Sequence, residues 1–269
     1  VELQIGRVDL ANLPFFAYTE IELLRRYLDK NHAYRTGQFP DIRRGLIDDN
    51  FKEGYTEGFG GNGWRNFSAL FGADRIDTGE FVPTFLPNGP ISLLDSFYLW
   101  SFGCGPGNFR SASYVCHARD LANDTITVKT VFTMLFGSYF GDWDSENNFL
   151  RSALAANGYL LASCWAGRPF WYVQHMALGE TIGYSTRLTQ NNTGMYSVNP
   201  TFSFVARMVH IALMGDPTLR LHPFAAPSAF VVSTNSRNTV DLRWNAPPTP
   251  VLGYNIYRAR NGNEPFVRL

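Results

Sequence analysis

The sequence predicts an α/β fold, a mostly parallel sheet flanked by helices, followed by a second unit built from strands alone. Three observations carry that expectation. Apolar and β-branched runs alternate with segments of helical periodicity from residue 1 to about 225, the pattern of strands joined by crossover helices. Thr125 to Leu135 (TITVKTVFTML) is the densest β-branched run and anchors the sheet. Beyond Phe224 to Ser228 the helical period stops, and apolar residues fall at every second position between Pro- and Gly-rich turns. The expected domains are therefore 1–225 and 226–269.

The elements follow in order. Residues 2–8 (ELQIGRV) alternate polar and apolar and read as a strand. Thr19 is an N-cap candidate with Glu20 and Glu22 in the first turn of a helix reaching Tyr34, with Ile21, Leu24, Tyr27 and Leu28 expected on its buried face. Arg43 to Asp49 is a short buried strand ending in acids. Gly58 to Gly63 is a glycine-rich loop, and Trp64 to Phe71 a helix. Pro83, Pro87 and Pro90 punctuate a loop. Phe97 to Phe102 is an apolar strand leading into Gly103-Cys104-Gly105-Pro106-Gly107. Asn147 to Ala156 is a helix stopped by Gly158, and Tyr159 to Cys164 a strand. His175 to Gly183 and Phe204 to Met214 read as helices, the second broken by Gly215-Asp216-Pro217. Thr218 to Leu221 reads as a last strand.

Composition narrows the function classes. Hydrophobic residues are 45% and charged residues 17% of 269, enough apolar material for a sizeable core. The 22 Phe and 13 Tyr suit sheet packing. Lys plus Arg equals Asp plus Glu at 23 each, and no basic stripe stands out, so nothing favours a nucleic-acid partner. No apolar run is long enough to insert directly in a membrane. The three cysteines, Cys104, Cys116 and Cys164, form neither a disulfide framework nor a zinc spacing.

Four landmarks stand in order. They are Val1 to Val8 with Lys30 and Tyr34; Leu135-Phe136-Gly137-Ser138 followed by Trp143; Ser163-Cys164-x-x-Gly167 with Phe170 and then Ala177-Leu178-Gly179-Glu180; and Leu213 to Leu219, LMGDPTL. Together they resemble the gingipain-type cysteine peptidases, which have a caspase-like fold. The resemblance implies a histidine loop and a nucleophile loop. Carried over position by position, the histidine falls on Phe136 and the nucleophile on Ala177. A cysteine peptidase needs a thiolate and an imidazole. Neither a phenyl ring nor a methyl group supplies one. In the tail, Leu242-x-Trp244, a Pro-rich loop and Gly253-Tyr254-x-Ile256-Tyr257-Arg258 resemble the first half of a fibronectin type III module, a partial β-sandwich.

Other residues offer rival chemistry. Cys164, or Cys104, could serve as nucleophile with His175; the plainer reading makes Cys164 a small buried hydrophobe and His175 a helix-start residue. Asp142, Asp144 and Glu146 crowd acids into one loop and make calcium the only cofactor the sequence points to, although a solvated helix N-terminus explains the same acids. Asp48-Asp49 is a weaker version. The Gly-Cys-Gly-Pro-Gly turn lacks the spacing and the lysine of a P-loop. Arg168 beside Trp165, Phe170 and Trp171 could form a recognition patch.

The resemblance thus implies a catalytically inactive peptidase homologue serving as a structural or binding unit of a larger secreted or cell-surface bacterial protein. Its expected partners are proteins or further copies of itself. The alternatives are an active cysteine peptidase and a self-assembling extracellular structural protein.

Overall fold

The structure, a computed structural model, describes residues 1–51, 58–82, 91–166, 170–191, 212–222, 227–236, 239–247, 253–261 and 264–269. Within the first 222 residues the chain forms α1 (Glu20–Arg35), β1 (Gly45–Asp49), α2 (Gly61–Phe71), β2 (Ile76–Thr78) and β3 (Tyr98–Cys104). It continues through β4 (Gly107–Asn108), β5 (Ser111–Ala112), β6 (Cys116–His117), α3 (Ala118–Leu121), β7 (Thr130–Phe136), α4 (Phe149–Ala155), β8 (Ala162–Trp165), α5 (Ile182–Gln190) and β9 (Leu213–Gly215). Among the described residues the main sheet has six strands in the order β2-β1-β3-β7-β8-β9. All neighbours are parallel except β9, which runs antiparallel to β8. The mixed α/β architecture is the one the strand–helix alternation predicts.

The central strands are buried along their whole length. Every residue of β3, YLWSFGC, is buried, and so are six of the seven in β7. Trp100 stacks on Phe132 across the β3–β7 ladder, centroids 5.0 Å apart. Burying each such ring contributes about 2–3 kcal/mol. Helices flank the sheet in two groups, α1 with α4, and α2 with a 3₁₀ turn over Gln174–Leu178. Close approach fixes α2: a Cβ on Gly63 would sit 3.0 Å from Phe102, and one on Gly45 2.6 Å from Phe67.

Local expectations fail where long-range partners decide. The α1 cap forms as a capping box between Thr19 and Glu22. Its buried face is Leu23, Tyr27, Asn31 and Tyr34, while Ile21, Leu24 and Leu28 are exposed. Polar anchors set the rotation. The Tyr27 hydroxyl donates to Leu161 O, the Tyr34 hydroxyl to Arg220 O and Leu221 O, and Asn31 to Asp216.

Residues 2–8 form no strand, only one bridge between Arg7 and Met214. The expected helix at His175 to Gly183 is instead the 3₁₀ turn, ended by Gly179 at φ 87°, and α5 starts afresh behind the Thr181 cap. Leu213 and Met214 are strand, not helix, because the edge of β8 takes them as its partner. Residues 204–211 lie outside the described residues, as do Pro83, Pro87 and Pro90. Thr218 to Leu221 is a turn with one bridge, Arg220 to Thr181.

Among the described residues the tail contains two antiparallel pairs, β10 (Ser228–Ser236) with β11 (Thr239–Asn245), and β12 (Tyr257–Arg258) with β13 (Val267–Arg268). Trp244 contacts Tyr254 edge-on at 5.1 Å. Among the described residues no helix is long and apolar enough to cross a membrane.

Candidate functional site

Parallel strands leave their carboxyl ends on one rim, and ligand crevices form there at the point where strand order reverses. Here β2 lies on one side of β1 and β3 on the other, so the reversal sits at β1. The ladder register places Asp49 opposite Cys104 and Cys104 opposite Phe136. One residue earlier on β7, Leu135 opposes Trp165 of β8. The rim residues of four adjacent strands are therefore Asp49, Cys104, Phe136 and Trp165.

Asp49 organises this row. Its Oδ1 accepts from Cys104 Sγ at 3.0 Å and from Phe51 N at 3.0 Å, and its Oδ2 from Gly60 N at 3.1 Å. The segment after β1 is thereby tied at Phe51 and Gly60. Phe59 packs on Phe136 at 4.5 Å, Phe51 lies 5.0 Å from Phe59 and 5.9 Å from Phe136. Three rings thus occupy the space above β1, β3 and β7. Trp165 closes the neighbouring space: its indole N–H donates to Gly137 O at 3.0 Å, and its own carbonyl accepts from Trp171 Nε1 at 2.6 Å.

The thiols are held neutral. Cys104 is fully buried, and burial first, then the hydrogen bond to Asp49 and that carboxylate's charge, push its pKa far above the ordinary thiol value. Cys164, paired with Met134 and Leu213 inside the sheet, is pushed up by burial. Cys116 is raised by burial and then by Asp120. A nucleophilic cysteine needs the opposite surroundings.

The structure places His175 in the 3₁₀ turn with its ring 5.6 Å from Tyr184. Ala177 is exposed in the same turn, and Leu178 is 82% exposed. The side chain on the strand end next to Phe136 is that of Trp165, which the sequence offered only as part of a recognition patch around Arg168. Its position at the end of the apolar run through Cys164 was the available signal. The Gly-Cys-Gly-Pro-Gly turn is packed, not open. A Cβ on Gly105 would fall 2.3 Å from Ser113 O, one on Gly137 2.5 Å from Phe140, and Gly105 N donates to Phe136 O.

Asp142, Asp144 and Glu146 lie exposed on the turn before α4. Glu146 Oε1 accepts from Arg110 and Asn147, both at 3.0 Å. Asp48 accepts from Phe81 N and Asn50. Among the described residues no three His, Cys, Asp or Glu side chains gather closely enough to hold a metal ion. Gly167 and Arg168 lie outside the described residues.

No family model and no curated protein matches the chain. A solved structure described as "Structure of Protease" superposes with a TM-score of 0.50 at 11% identity, covering 81% of this chain and 57% of that chain. The chain therefore has a protease-like fold and spans just over half the length of that neighbour. At this identity the likeness concerns the fold alone.

Proposed function

We propose that the chain is a catalytically inactive homologue of caspase-fold, gingipain-type peptidases, acting as a structural or binding unit of a larger secreted or cell-surface protein. The observation that carries this reading is the rim row Asp49, Cys104, Phe136, Trp165. Where acyl transfer requires a thiolate facing an imidazole, this row offers a buried thiol donating to a carboxylate, a phenyl ring under two further rings, and an indole tied to the backbone. Neither the Phe136 ring nor the Trp165 indole can act as a general acid or base, and the Cys104 thiol faces a carboxylate instead of an imidazole. The strand-only tail, whose Trp244–Tyr254 contact fits a fibronectin type III-like half-sandwich, supports a spacer or adhesion role outside the cell.

The test is direct. The purified chain is incubated with denatured protein and with a broad fluorogenic peptide library, in reducing buffer near neutral pH. No turnover above the buffer rate is expected. Turnover abolished by Cys104→Ser or Cys164→Ser would establish the active cysteine peptidase instead.

A further inference from the structure

We propose that the chain pairs with a second copy of itself through the exposed side of α1, the two helices running antiparallel about a two-fold axis. This does not depend on whether the α/β unit is catalytic. α1 carries two stripes. Leu23, Tyr27, Asn31 and Tyr34 form the buried one. Ile21, Leu24 and Leu28 recur at i, i+3 and i+7, the spacing of one helix side, roughly a quarter-turn away. They are 65%, 40% and 54% exposed. The hydrogen bonds of Tyr27, Asn31 and Tyr34 that anchor the helix all leave from the buried stripe. Aliphatic residues scattered singly on a surface are ordinary, but three in line form a seam that marks a contact.

Charge decides what fits the seam. Arg25 and Asp29, one turn apart and both exposed, run along its outward side. Among the described residues neither is held in a salt bridge. Glu22, which the Arg25 charge reaches, is committed to the Thr19 cap.

Read antiparallel against itself, this side of α1 is its own complement. With the axis level with residues 26 and 27, Leu24 meets Leu28 of the second copy, and symmetry repeats the pair. Ile21 meets the His32 ring of the second copy, which extends the seam by a turn. The two-fold brings the outward sides together, so Arg25 meets Asp29 of the second copy, again twice. An axis half a turn earlier, at residue 25, opposes Arg25 to itself. One half a turn later, at residue 29, opposes Asp29 to itself. Like charges in contact are costly, so the charge order selects one register. A purely apolar partner would leave Arg25 and Asp29 unmatched, whereas a second copy satisfies both. From Ile21 to Leu28 the seam spans roughly 10 Å, so the interface is small and the dimer weak.

Sedimentation velocity of the full chain from low to high micromolar concentration tests this. A monomer–dimer equilibrium is expected. Leu28→Glu weakens the dimer by about tenfold or more, and so does Arg25→Asp, which opposes two aspartates twice. Adding Asp29→Arg to Arg25→Asp restores it. These positions are exposed, so each variant monomer should melt like the wild type. Cysteine pairing reads the register without any change of charge. After mild oxidation a mixture of Leu24→Cys and Leu28→Cys chains links 24 to 28, while the three native thiols stay buried. A monomer at every concentration overturns the proposal, as does a dimer indifferent to Leu28→Glu and Arg25→Asp or not restored by the double change. Either cysteine variant linking to itself more readily than to the other shows parallel pairing and overturns it too.

Discussion

Replacing Asp216 by Asn removes the knot between α1 and the chain beyond β9, and the cost follows from its bonds. Oδ1 accepts from Thr218 N at 2.8 Å and Thr218 Oγ1 at 2.7 Å; Oδ2 accepts from Arg35 Nη2 at 2.7 Å and Asn31 Nδ2 at 3.0 Å. An asparagine keeps one oxygen for Thr218 but turns an amide N–H₂ toward two donors. The Arg35 ion pair is partly exposed, so its loss costs under about 1 kcal/mol. Facing a donor with another donor in a half-buried site adds about 1–2 kcal/mol. A total of about 2 kcal/mol corresponds to a Tm shift of about 4–8 °C for a unit of this size.

The pH dependence separates this account from a packing defect. Burial alone would raise the Asp216 pKa, but hydrogen bonds from Thr218, Arg35 and Asn31 together hold it below the ordinary carboxylate value. A carboxylate with a depressed folded-state pKa stabilises the fold fully above the unfolded value of about 3.9. It loses that contribution as pH falls through the lower folded value. Urea unfolding of the wild type and Asp216→Asn at neutral pH and below pH 3 should show the difference shrinking in acid. An equal difference at both pH values would refute the electrostatic account.

Three further outcomes are expected. Lys30 Nζ donates to Leu154 O, Ala156 O and Leu160 O at 2.9, 2.9 and 3.1 Å, closing the end of α4, so Lys30→Met should destabilise by about 2–3 kcal/mol in denaturant titration. A thiol reagent at mildly alkaline pH should label none of the three buried cysteines in the native chain and all three in urea, whereas fast native labelling would contradict the raised thiol pKa values. Trp165→Ala should cost about 3 kcal/mol and expose the loop from Gly137 to proteolysis, because the indole both fills space beside Gly141 and bonds Gly137 O.

The sequence by itself determined the α/β class, the principal strands and the strand-only tail. Each rests on a local period: β-branched density in β7, unbroken apolar character in β3, and alternation in β11. It also determined that a phenylalanine stands at position 136, since identity needs no coordinates. Tertiary structure decided the rest. The rotation of α1 was set by Tyr27 and Tyr34 reaching carbonyls more than a hundred residues away, against the local apolar stripe of Ile21, Leu24 and Leu28. The strand state of Leu213 and Met214 came from the waiting edge of β8. The rim row joins residues 49, 104, 136 and 165 through ladder register, which depends on pairing between distant segments and leaves no trace in any one of them.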